Sequence, residues 1–67
     1  MTNEEAKNAL LKRTPVKYNG TVYLRIIELV YWIDESDGFH ISATLLDKNR
    51  HSTVRPEIKD VISIHDK

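Results

Sequence analysis

Three histidines, His40, His51 and His65, are the residues best suited to acid–base or metal chemistry. A structural zinc takes about four imidazole, thiolate or carboxylate donors. The chain has no cysteine, so thiolate zinc sites and disulfides are excluded. No two histidines stand at i, i+2 or i, i+4, and the expectation is three exposed surface histidines with no metal and no cofactor. A serine nucleophile at Ser36, Ser42, Ser52 or Ser63 would need an imidazole base and an orienting carboxylate beside it. Ser42 shares a strand face with His40, but that face alternates with an apolar one and reads as solvent-facing. Asp34, Glu35 and Asp37, with Ser36 and Gly38, begin like a calcium loop, yet no acidic residue closes the far end. That stretch reads as a solvated turn. Gly20 and Gly38, the only glycines, both fall in turns and make no phosphate-cradling loop. The chain reads as a non-enzyme.

Two binding surfaces compete. Val30 and Trp32, with Leu46 on the neighbouring strand, form a candidate protein-interaction patch for an unknown protein or a second copy in a weak homodimer. Trp32 is core if it points inward and interface if it points out. Lys48, Arg50, His51 and Arg55 cluster about a later turn. With Tyr18, Tyr23, Tyr31 and Trp32 as aromatic platforms they are the candidate nucleic-acid-binding alternative. Ten basic and ten acidic residues give zero formal net charge, which implies no bulk attraction to nucleic acid or anionic membrane. The protein-interaction reading is therefore preferred.

These residues need a scaffold. Sixty-seven residues make a single domain, a size that buries only about 60% of its unfolded surface. Residues 2–12 read as a helix. Thr2 and Glu5 have capping-box spacing, Glu4 and Glu5 lie in its first turn, Lys12 and Arg13 lie at its end, and Pro15 stops it. Residues 16–18 read as a short strand, and Asn19-Gly20 as a type I′ hairpin turn. Residues 21–33 then read as one long strand, apolar on both parities, with a bulge expected within 25–28 to change the inward parity. Residues 39–46 alternate, with Phe39, Ile41, Ala43 and Leu45 on the buried side. Residues 47–50 form a polar turn, 52–55 a strand with Val54 inward, 56–60 a single 3₁₀ turn opened by proline, and 61–64 the last strand.

The pattern Thr53-Val54-Arg55-Pro56-Glu57-Ile58-Lys59-Asp60-Val61-Ile62-Ser63-Ile64 resembles the end of an SH3-like barrel, where a proline after the fourth strand opens a 3₁₀ turn and a valine enters the closing strand. The resemblance covers about residues 15–64. It implies an all-β, five-stranded SH3-like barrel carrying one short N-terminal helix. The peptide-binding motif Ala-Leu-Tyr-Asp-Tyr is missing. Tyr23-Leu24-Arg25-Ile26, Leu45-Leu46-Asp47-Lys48, Thr53-Val54 and residues 56–61 are also similar to small uncharacterised proteins of prophages and integrative elements in Gram-positive bacteria. That likeness implies an accessory protein of a mobile element and lends no activity. The polar, acidic N-terminus lacks the pattern of a signal peptide, and no apolar run reaches the roughly 20 residues that span a bilayer. A soluble, cytoplasmic protein without membrane contact is expected.

Overall fold

The computed structural model describes residues 1–64, so His65 lies outside the described residues. The chain begins with helix α1 (Asn3–Lys12). Thr2 caps it, accepting from the Glu5 N–H at 3.1 Å while the Thr2 N–H donates to Glu5 Oε1 at 2.9 Å. The two bonds satisfy two of the donors a helix start leaves free. Arg13 ends the helix in the left-handed conformation, φ 57°, a common helix stop.

Strands β1 (Val16–Tyr18) and β2 (Thr21–Tyr23) flank Asn19-Gly20. Both turn residues have positive φ, 53° and 81°, as a type I′ turn requires. The chain then bends at Leu24, whose N–H leaves the first sheet and donates to the Leu46 carbonyl at 2.8 Å. Strand β3 (Arg25–Ile33) follows and pairs with β4 (Phe39–Leu46). Strand β5 (Thr53–Val54), the 3₁₀ turn η1 (Ile58–Asp60) and strand β6 (Val61–Ser63) complete the chain.

The protein is mostly β with one short helix, as expected, but the five-stranded SH3-like barrel is corrected here: the sheets do not close into a barrel. Among the described residues there are six strands in two three-stranded antiparallel sheets, ordered β2-β1-β6 and β3-β4-β5. The bend at Leu24 splits the expected long strand in two, and each half joins a different sheet. β1 pairs with β2 and β6, and α1 packs against β3, its buried Ala6 and Ala9 joining Ile26, Ala43 and Leu45 in the core.

The core lies between these layers: Ala6, Ala9, Val16, Ile26, Ala43, Leu45, Ile58 and Val61. The alanines let the helix backbone approach closely. The N-terminal ammonium donates to the Ile58 and Val61 carbonyls at 2.9 and 3.1 Å, pinning the helix start to η1 and β6. The anticipated bulge falls between Ile26 and Glu28. It switches the core-facing parity of β3 from Ile26 to Leu29 and Tyr31. Val54 lies opposite Leu45 on the expected inward side. At the sheet edge, however, it remains exposed.

Candidate functional site

The face of the second sheet directed away from the core is built in rows by strand register. Glu28 lies opposite Thr44 and Val30 opposite Ser42, and the next pair is Trp32 with His40. On the far side of β4 the chain after β5 continues alongside: Glu57 bridges to Ser42, and Ala43 N–H donates to the Pro56 carbonyl at 2.9 Å. Ser42 and Thr44 were expected to face solvent; each is only 4% exposed. Their side chains are short and sit mid-sheet, and longer neighbours lie over them. Trp32 Nε1–H donates to Ser42 Oγ at 2.9 Å. Thr44 donates to Glu28 Oε1 at 2.9 Å and accepts from Arg55 Nε at 3.1 Å. Arg55 Nη2 also stands 3.6 Å from Glu28 Oε1. Among the described residues no buried side-chain polar atom lacks a partner, as buried polar groups require.

The distinctive constellation is at the hairpin end. Asp34 Oδ1 accepts from the N–H groups of Ser36 and Gly38 at 2.9 and 2.8 Å, so the carboxylate organises the turn. Its Oδ2 stands 2.6 Å from His40 Nε2, and His40 Nδ1 stands 3.2 Å from Glu57 Oε1. A neutral imidazole can donate from one nitrogen only, so two carboxylates favour the doubly protonated ring. The Asp34 hydrogen bond, then that of Glu57, raises the His40 pKa above its ordinary value. His40, followed by the Gly38 N–H, holds the Asp34 carboxyl below the usual carboxylate range. The His40 ring stacks on Trp32, centroids 4.3 Å apart. His40 is therefore a partly buried tie between the tip turn and the chain before η1, and the expectation of an exposed surface histidine is corrected for it.

Among the described residues this arrangement leaves His40 engaged and offers Ser42 no free imidazole base. The Ser42 hydroxyl accepts from Trp32, and both His40 nitrogens face carboxylates. Among the described residues no group of three or more His, Cys, Asp or Glu side chains is placed to hold a metal ion. An open cleft of about 260 Å³ between α1 and β6 is lined by Glu5, Asn8, Lys12 and Ser63 among others, but Glu5 is committed to the helix cap.

The candidate interaction residues share the outer face, as their parity implies. Trp32 is 39% exposed, tethered to Ser42 and His40, and is neither buried core nor a free surface ring. Val30 is half-buried. Leu46 is half-buried too, and the Glu28–Thr44–Arg55 row separates it from Val30. The three do not form one patch. A contiguous apolar surface lies instead on the opposite face of the tip: Tyr31, Ile33 and Phe39, exposed by 52, 64 and 63%. Ile33 pairs with Phe39, and the Phe39 ring meets Tyr31 edge-on at 6.0 Å. The helix start reaches only to Tyr31, whose hydroxyl donates to Asn3 Oδ1 at 2.8 Å, so Ile33 and Phe39 extend beyond its cover. The signal was large apolar residues on both flanks of an acidic turn.

Of the candidate nucleic-acid residues, Lys48, Arg50 and His51 lie exposed at the β4–β5 turn. Asp47 lies at its start, accepting from the Ser52 hydroxyl at 2.7 Å and the His51 N–H at 3.1 Å. Those bonds, Ser52 first, lower the Asp47 pKa. Arg55 is drawn away into the row with Glu28. Trp32 and Tyr31 lie at the opposite end of the hairpin from this turn.

No family model, curated protein or solved structure matches the chain. No helix among the described residues is long and apolar enough to cross a membrane.

Proposed function

We propose that this protein is a non-enzymatic interaction module that docks another protein through the tip of the β3–β4 hairpin. The carrying observation is the uncovered surface of Tyr31, Ile33 and Phe39, held out beyond the helix on a paired, aromatic-braced strand end. Contiguous exposed apolar residues on a small domain mark interaction surfaces. The engagement of Ser42 and His40 by other side chains supports the non-enzymatic part. The likeness to prophage and integrative-element proteins supports an accessory role in such an element, acting in the cytoplasm.

The nucleic-acid reading is weaker on this geometry, because its basic residues and the tip aromatics occupy opposite ends of the hairpin. One comparison tests both. Tagged wild type is recovered from its cell of origin beside an Ile33→Ser/Phe39→Ser variant and a Lys48→Gln/Arg50→Gln variant. The docking reading expects one protein retained by wild type and the basic-turn variant and lost from the tip variant. Salt-sensitive oligonucleotide binding abolished by the basic-turn variant, with no such protein, would replace it.

A further inference from the structure

Resting on the tip as the docking surface, we infer that its occupant is a protein segment carrying lysine or arginine beside apolar side chains. The apolar face is bordered by carboxylates. Glu35 and Asp37 are exposed in the turn that joins Ile33 to Phe39. The ion pairs of the described residues engage Asp34, Glu28 and Glu57, and none engages Glu35 or Asp37.

The zero net charge hides a separation. Lys12 and Arg13 end the helix, Arg25 begins β3, and Lys48 and Arg50 sit in the β4–β5 turn, all away from the tip; Lys7 lies one helical turn beyond Asn3, and His40 at the tip is engaged by Asp34 and Glu57. Lys59 is paired with Glu57 at 3.7 Å. The potential in the turn between Ile33 and Phe39 is therefore weighted by its unpaired carboxylates, Glu35 and Asp37. It draws cations and repels phosphate, which disfavours nucleic acid and anionic bilayers there. Apolar contact supplies the adhesion, and the charged rim selects the partner.

The test uses two short synthetic peptides, one alternating leucine with lysine and one alternating leucine with glutamate, titrated into isotopically labelled full-length protein. The lysine peptide is expected to shift the amides of Ile33, Glu35 and Phe39, and to bind about tenfold or more tighter than the glutamate peptide. Added salt should shrink that ratio. Glu35→Gln/Asp37→Asn, which keeps a left-handed-tolerant residue where Asp37 has φ 65°, should bring the two peptides together. Ile33→Ser/Phe39→Ser should remove binding of both, with thermal melts confirming the fold of each variant. Equal tip binding of both peptides to wild type overturns the cationic partner and leaves the tip as a docking surface. Peptide shifts confined to other faces overturn both. Self-association of wild type that Ile33→Ser/Phe39→Ser abolishes also overturns it, because the occupant is then a second copy.

Discussion

Trp32 and His40 face each other across β3 and β4, with ring centroids 4.3 Å apart and planes 18° from parallel. Because both His40 nitrogens meet carboxylates, the protonated form of the stacked imidazole is favoured, and a cation over an indole face is favourable. The pair fastens the free end of the hairpin to the chain ahead of η1. The acidic turn, the sole tryptophan and Glu57 thereby become one unit.

Trp32→Ala should cost about 1–3 kcal/mol, below the 3–5 of a fully buried tryptophan, because a large part of the ring already meets water. Trp32→Phe should cost about 1 kcal/mol, chiefly through loss of the bond to nearly buried Ser42. Urea unfolding followed by circular dichroism measures both. An unfolded Trp32→Ala protein would place the ring in the core.

Stability should pass through a maximum on the acid side of neutrality. The His40 pKa is raised in the folded state, so its contribution is complete below about 6.5 and lost as pH rises through the folded value. Asp34 and Asp47 are lowered. Their contributions are present above about 3.9 and lost as pH falls through their folded values. Thermal melts across the range should show both declines, and His40→Gln should abolish the alkaline one. An unchanged alkaline limb in that variant would assign it to another group.

Gly38→Ala should loosen the His40 tie without touching it. A Cβ at Gly38 would stand 2.9 Å from Asp34 Oδ2 and 3.2 Å from Oδ1. That carboxylate is held by two N–H groups and by His40, so moving it breaks bonds. The His40 pKa, followed by NMR, should fall toward its ordinary value. The melting temperature should drop by about 4–8 °C, what roughly 1 kcal/mol produces in a domain of this size.

Ile26 and Ile27 should respond oppositely to truncation. Ile26 is fully buried and Ile27 is 38% exposed, separated by the bulge rather than by chemistry. Ile26→Ala should cost about 2–5 kcal/mol and Ile27→Ala only about 1. Equal costs would mean the bulge lies elsewhere.

What the sequence determined by itself is local. The Thr2–Glu5 box, the Asn19-Gly20 turn, the extended run of residues 39–46 and the proline-opened turn at Ile58–Asp60 each depend on groups within a few positions. Their geometry follows from spacing and φ alone, and each was legible. The bulge was legible too, because residues 21–33 carry more apolar side chains than one face can bury. Only the tertiary structure decided the rest. The bend at Leu24 needs the Leu46 carbonyl, and it hands the two halves of the expected long strand to different sheets. Burial of Ser42 and Thr44 depends on Trp32, Glu28 and Arg55 lying over them. His40 becomes a tie through Glu57 as well as Asp34. Such relations join residues far apart in the chain, and register fixes them. A one-residue shift reverses which side chains share a face, which is why the Tyr31–Ile33–Phe39 surface came into view only with the fold.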